Sequence, residues 1–217
     1  MDRNNKLKDS FLQFFHDLFD LMVVNCLWLL CCLPVVTIGP ATCGLYRVTL
    51  KLARQEPVGP IKDFYRGFRN NFKPGLALGL LTTALLAIAA GDIWFALNTE
   101  SGLFLVVGII MGTISMILVS FVFALQTMFE NPVKTQILNA FKLAFLAPGK
   151  TVALWLILLS PVILALALPG AVMEEVGFVY LIVGISGPVY GASRILRKIF
   201  DRVNGAPREE PLPTVEK

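Results

Sequence analysis

The sequence predicts an all-α fold, a polytopic bundle of membrane helices, from its composition and the placement of its charges. Of 217 residues, 56% are hydrophobic and 16% charged, with a mean hydropathy of +0.71. That is too apolar for an ordinary soluble domain. A spanning helix needs roughly 20 apolar residues. Five uncharged runs approach or exceed this length: 21–46, 74–91, 101–129, 151–173 and 176–193.

The basic residues predict the orientation of the bundle. All 19 Lys and Arg lie in 3–8, 47–73, 134–150 or from 194 onward, and the positive-inside rule places such segments in the cytoplasm. If residues 21–46 cross once, the chain has five spans and an external N-terminus. If they go out and return, every basic residue is inside. We therefore predict a multi-pass protein of the cell membrane with both termini cytoplasmic, and keep five spans as the alternative.

The first predicted hairpin, 12–54, contains a break. Pro34 has no N–H to donate, and Gly39-Pro40 can restart a helix with Pro40 as its first residue. From Pro40 to Arg54 the helix would be about 22 Å long, short of a ~30 Å hydrocarbon core. Broken backbone at membrane depth must be buried in protein or line a cavity. We therefore expect a dipped tip, packed inside the bundle.

Arg47 is the charge that this hairpin leaves at membrane depth, where an Arg usually faces the bundle interior or a cavity. Asn25 is expected to approach Arg47 or Lys51. Arg47 either contacts a polar or anionic substrate or lipid headgroup, or it has a structural role, extending to the interface or bonding a carbonyl. The candidate functional residues are Asn25, Pro34, Thr37, Gly39, Pro40, Gly44 and Arg47.

Two further hairpins, 75–127 and 151–200, are joined to the first by two amphipathic helices. The first amphipathic helix, in 56–75, has a Phe-rich face and a basic face. A similar pattern recurs 77 residues later, which indicates an internal repeat. These helices either lie on the anionic inner leaflet or meet a partner ATPase. The candidate interface residues are Lys62, Phe64, Arg66, Phe68, Arg69, Phe141 and Phe145.

The remaining organisation is simple. Residues 1–202 are predicted to form a single membrane domain, and 203–217 a disordered cytoplasmic tail. Gly75 and Gly79 have the spacing that lets helices approach closely.

An enzymatic function is not expected. His16 is the only His, and Asp17 and Asp20 beside it are interpreted as a solvated interfacial face. No residue stands in a recognisable nucleophile or metal-ligand spacing. We therefore predict no catalytic residue, metal or cofactor, and no nucleic-acid partner. The four Cys are interpreted as small packing residues.

Four segments carry a family resemblance: N-x-L-W-L-L from Asn25, LPVVTIGPAT at 33–42, GLYR at 44–47 and DFYRGFRNNFK at 63–73. They resemble the YesL-like family, small integral membrane proteins of Gram-positive bacteria whose function is unknown. The resemblance implies an association with carbohydrate utilisation, because such genes often accompany sugar ABC transporters and polysaccharide-degrading enzymes. It assigns no chemistry to any residue.

Two functions are compatible with these patterns. The first is a protein accessory to, or regulating, a carbohydrate ABC-type transport system, with the transporter subunits as partners. The second is a small transporter or channel with its own pathway at the broken first hairpin. The second needs polar residues that converge within the membrane, and the sequence offers few, which favours the first. An oligomer is compatible with either.

Overall fold

The computed structural model describes residues 3–129, 131–167 and 182–203, and these form helices joined by short connections. This confirms the predicted all-α bundle. A short 3₁₀ turn, Val35–Thr37, separates the first two helices. The helices are α1 (Arg3–Cys31), α2 (Ile38–Ala53), α3 (Pro60–Asn70), α4 (Phe72–Thr99), α5 (Gly102–Met128), α6 (Val133–Leu146), α7 (Pro148–Ala167) and α8 (Ser186–Val203).

The helix order matches the predicted hairpins and connectors. Helices α1 and α2 form the first hairpin and α4 and α5 the second, with α3 and α6 as the short helices that follow them. Helices α7 and α8 are the arms of the third. Residues 168–181 and the predicted tail, apart from Val203 at the end of α8, lie outside the described residues.

Helix α2 is the centre of the bundle. It contacts α1, α3, α4, α5 and α8, and 12 of its 16 residues are buried. At 16 residues it is about 24 Å long, too short to cross a bilayer alone, as expected for the return arm. Among the described residues, three helical segments have the length and hydropathy of a span. These are Phe11–Cys31, Phe72–Thr99 and Gly102–Met128; a fourth candidate combines α6 and α7 across a 108° bend.

The first hairpin ends far short of the second. Its apex, residues 32–39, lies against the beginning of α4, with Gly39 beside Gly75 and Gly79. From Gly79, α4 runs on to Thr99, about 30 Å further along its axis. We call this projecting part, residues 80–113 of α4 and α5, the distal hairpin. Its outward side chains are largely exposed and apolar, which suits contact with lipid tails.

Helices α2 and α8 run parallel to each other. Thr49 Oγ1 lies 2.8 Å from Ser193 Oγ, and Arg197 Nη1 donates to the Ala53 carbonyl at 2.7 Å. The paired numbers increase together, which fixes the direction. Both helices begin with a Gly-Pro pair in their first turn; in α2 this is the Gly39-Pro40 pair that was predicted to restart the helix. We call the shared end of these two helices, with Lys51, Arg54, Arg197 and Lys198, the basic end.

Candidate functional site

Thr37 satisfies the backbone carbonyls at the break between α1 and α2 with its hydroxyl and its N–H. Its hydroxyl lies 2.5 Å from the carbonyl oxygen of Cys31 and 2.7 Å from that of Pro34, and it can donate to one of them at a time. The backbone N–H of Thr37 also donates to the Pro34 carbonyl at 2.9 Å. The chain thus satisfies the last carbonyls of α1 locally, where a helix end otherwise leaves them without partners.

The predicted burial of the tip requires a correction. Leu33 and Val35 are exposed, at 78% and 65%, so these apolar residues face outward and only the following helix enters the interior. The helix also begins at Ile38, two residues before Pro40. Because Thr37 satisfies the broken backbone, the tip has no need of burial in protein.

Glycine lets α2 meet α4 backbone to backbone. A Cβ on Gly39 would overlap the carbonyl oxygen of Gly75 and lie 2.9 Å from the Cα of Gly79. A Cβ on Gly75 would lie 3.0 Å from the Cα of Pro40. The Gly75 and Gly79 spacing is therefore used for close helix approach, as predicted. Gly39, predicted as a turn residue, is the residue of α2 that contacts this glycine pair.

A second glycine contact joins α2 to α3. A Cβ on Gly44 would lie 2.9 Å from the Phe64 carbonyl oxygen, and a Cβ on Gly67 would lie 2.9 Å from both the Cα of Gly44 and the Cβ of Arg47. Gly44 thus provides the space into which α3 and the Phe64 ring pack. This residue has a packing role in the bundle.

The partner of Arg47 is Asp63, on α3. Arg47 Nε lies 3.9 Å from Asp63 Oδ1, while Lys51 Nζ lies 2.9 Å and 3.0 Å from the two carboxylate oxygens. The Gly59 N–H also donates to Asp63 at 3.1 Å. Burial raises the pKa of Asp63, but the bonds from Lys51 and Gly59 and the charges of Lys51 and Arg47 outweigh it and hold that pKa below 3.8.

This ion cluster fastens α3 to α2. Asp63 lies in the first turn of α3, where a carboxylate also complements the positive end of the helix. The structural role considered for Arg47 therefore has a definite partner. This partner is a carboxylate and not the carbonyl that was expected. A cleft of about 160 Å³ adjoins the cluster, lined by Arg47, Lys51, Arg54 and Glu56 among others.

Asn25 does not reach Arg47 or Lys51, which corrects the expectation. Its Oδ1 accepts hydrogen bonds from the backbone N–H groups of Ile185 and Ser186, at 3.2 and 3.1 Å. Asn25 is fully buried. It therefore satisfies donors at the start of α8, the groups that every helix N-terminus leaves unpaired.

The predicted interface residues divide into two groups. Phe64 is buried against α2 at 3% exposure, and Phe68 and Phe141 are half-buried, so Phe64 belongs to no accessible surface. Phe145 is exposed at 78%. Lys62, Arg66 and Arg69 are exposed as expected, and the apolar members of this outer face are Ile61 and Tyr65.

The His16 segment agrees with the expected solvated face at His16, whose side chain is 73% exposed, and differs from it at Asp20. His16 Nδ1 lies 3.4 Å from Asp20 Oδ2, and Asp20 is buried at 3% exposure. Asp17, Glu56 and Gln55 share with them an open cleft of about 430 Å³. Within the described residues, no group of three or more His, Cys, Asp or Glu could hold a metal ion.

Several buried polar contacts carry no clear signal in the sequence. Gln126 Nε2 donates to Asn71 Oδ1 at 3.3 Å, which joins α5 to the start of α4. Gln136 Nε2 donates to the Phe129 carbonyl at 2.7 Å and satisfies the end of α5. Both polar residues flank apolar runs, so their position near helix ends is the one available indication.

Comparison with known proteins gives one match. The sequence model of a family described as "Protein of unknown function, DUF624" matches residues 21–93, about a third of the chain. YesL-like proteins are members of that family. The match covers α2, α3 and most of α4, including the glycine contacts and the Asp63 cluster. No curated protein and no solved structure matches the chain.

Proposed function

We propose that this protein is a YesL-like accessory or regulatory subunit of a carbohydrate ABC-type transport system, acting through contacts within the membrane and not by catalysis. The family match at 21–93 and the YesL-like motifs support the assignment, and the carbohydrate context comes from that resemblance. The observation that carries the choice of an accessory role is the closed packing at the apex of the first hairpin.

A transporter with its pathway at this hairpin would need space and polar groups there. Instead, the start of α2 lies against α4 at a distance that excludes even a Cβ on Gly39. The polar residues available for a pathway are engaged elsewhere: Asn25 accepts N–H groups of α8, and Arg47 faces Asp63. These contacts favour the accessory role over the transporter.

The outer face of α3 is proposed to lie on the anionic inner leaflet. It presents Lys62, Arg66 and Arg69 together with Ile61 and Tyr65, while its inner face is fixed to α2. Basic side chains near an anionic surface gain about 1 kcal/mol each. The basic charge of this face thus complements the anionic lipid that we propose it contacts.

Affinity purification of the tagged protein from native membranes in mild detergent tests the proposal. We expect subunits of a sugar permease or its ATPase to co-purify with the wild type. A matched pair of variants, Tyr65→Ala on α3 and Trp94→Ala on the distal hairpin, should both retain them. If only Tyr65→Ala loses the co-purifying subunits, the outer face of α3 would be assigned to the partner protein and not to lipid. A homogeneous homo-oligomer that conducts solute in vesicles would contradict the accessory role.

A further inference from the structure

A second cleft lies at the basic end, between the end of α2 and one face of α8. Its volume is about 350 Å³. Cationic side chains dominate its lining, which consists of Ala53, Arg54, Gln55, Arg194, Arg197 and Lys198. This cleft shares Arg54 with the cleft beside the Asp63 cluster, and its other lining residues differ.

Short contacts hold two of these guanidinium groups in place. Arg197 Nη1 donates to the Ala53 carbonyl at 2.7 Å, and its Nε lies 3.6 Å from Asp201 Oδ2. Arg54 Nη2 lies 3.4 Å from the other oxygen of Asp201. One carboxylate therefore orients two Arg side chains from different helices.

The charges around the cleft remain predominantly basic. Arg194 lies over the Tyr190 ring, 5.3 Å from its centroid, and Lys198 stands one turn further along α8. Lys150 and Arg202 add positive charge near Lys198. The acidic groups facing the cleft and its rim are Asp201, Glu56, which is 3.9 Å from Arg54, and Asp17, which interacts with Arg194. Six basic groups thus face three acidic ones.

Gln55 provides an independent observation. Its φ is 57°, the left-handed conformation that follows a helix end and is usually taken by Gly. The Glu56 N–H donates to the Lys51 carbonyl at 3.0 Å, which completes this helix-ending motif. A residue other than Gly adopts this conformation at an energetic cost. Gln55 lines both the basic cleft and the cleft beside His16. Strained residues of this kind are concentrated at functional sites.

We propose that this cleft binds a phosphate group, with Arg54, Arg194, Arg197 and Lys198 as its charged ligands and the Gln55 amide as an uncharged donor. Guanidinium groups form paired hydrogen bonds with phosphate oxygens. Basic pockets between membrane helices on the cytoplasmic side are suited to phospholipid headgroups. The phosphate can belong to an anionic phospholipid or to a soluble ion, and the two sources share this chemistry.

Two binding measurements on the full-length protein test the site and distinguish the sources. Native mass spectrometry measures retention of phosphatidylglycerol, and thermal unfolding in lipid-free detergent measures the effect of inorganic phosphate against chloride at equal ionic strength. The test variant, Arg194→Gln with Lys198→Gln, alters exposed residues of the cleft. The control, Lys134→Gln with Lys142→Gln, removes the same charge from exposed positions on α6.

We expect the test variant to bind at least about tenfold more weakly than the control, as for the loss of one charge-assisted contact. Retention of the lipid alone identifies a headgroup site, and stabilisation by inorganic phosphate identifies a soluble ligand. Equal binding by the test and control variants, or binding of neither probe by the wild type, would overturn the proposal.

Gln55→Gly separates binding from folding. Because Gly adopts the left-handed conformation readily, the variant should unfold at the same temperature as the wild type or higher. Its affinity for whichever probe binds should fall about threefold, as for one neutral hydrogen bond. Unchanged affinity would remove Gln55 from the site.

Discussion

The packed bundle around α2 and the distal hairpin are built in different ways. Around α2, glycines bring backbones into contact, and buried polar side chains join the helices: Asn25 joins α1 to α8, and Asp63 joins α3 to α2. In the distal hairpin, α4 and α5 pack mainly on each other, and their outward residues are apolar and exposed. The packed bundle around α2 therefore needs particular residues at particular positions. Much of the distal hairpin needs only hydrophobic residues.

This difference explains where the sequence is distinctive. The resemblance motifs and most of the family match fall on α1 to α3 and the first half of α4. A lipid-facing surface accepts many apolar side chains, since lipid tails and Leu are equally apolar. The position of Gly39, where two backbones are in contact, accepts only glycine. The same substitution should therefore have a larger effect near α2 than in the distal hairpin.

Gly39→Ala should have the largest effect. Its Cβ would overlap the Gly75 carbonyl oxygen, so helices α2 and α4 must separate, at a cost of about 3 kcal/mol or more. The matched change, Gly91→Ala, meets no atom within 4 Å and should leave stability unchanged or slightly raised. Unfolding in detergent by increasing SDS measures both. Equal effects would show that the contact at Gly39 is not tight.

Asn25→Ala should rank second. It leaves the N–H groups of Ile185 and Ser186, at the start of α8, without the Oδ1 that they bond, which costs roughly 2 kcal/mol. Asn98→Ala removes an amide that bonds the Trp94 carbonyl on the same exposed helix face, and its cost should be near zero. Hydrogen exchange at the Ser186 amide gives a local readout. An unchanged exchange rate there would contradict the role assigned to Asn25.

Asp63→Asn should cost about 1–2 kcal/mol, since a charged hydrogen bond to the partly exposed Lys51 is lost. Because the folded state holds the pKa of Asp63 below 3.8, its contribution is complete above that pH and is lost as the pH falls through the folded value. The difference between wild type and variant should therefore shrink on acidification. Asp92→Asn, the same change in the distal hairpin, should leave stability nearly unchanged.

Thr37→Val should have the smallest of the four effects, about 1 kcal/mol. It removes the hydroxyl that closes the break between α1 and α2. Thr113→Val removes a hydroxyl that bonds only the Ile109 carbonyl of its own helix, and stability should hardly change. Thermal unfolding in the same detergent compares them. A larger loss at Thr113 would reverse the contrast between the two regions.

The local features of the fold were predictable from sequence. Hydrophobic runs predicted the helices, Pro34 and Gly39-Pro40 predicted the break, and the spacing of Gly75 and Gly79 predicted a close approach. Each depends on residues within one or two turns, where backbone sterics and hydrophobic periodicity act directly.

The long-range partners were not predictable. Nothing near Asn25 indicates that it bonds α8, 160 residues later. Arg47 was recognised as a charge in need of a partner, but Asp63 already had a local explanation at the start of α3. Phe64 was placed on the outer face because the space beside Gly44 exists only after the helices pack.

Depth measurement in a bilayer tests the central claim, that the first hairpin ends well short of the second. Nitroxide labels at Val36 and Leu97, in a variant lacking the native Cys, report oxygen and aqueous-reagent accessibility in nanodiscs. We expect Val36 to lie in the hydrocarbon and Leu97 near the outer interface. Equal depths near the same interface would contradict it, because the first hairpin would then cross the membrane completely.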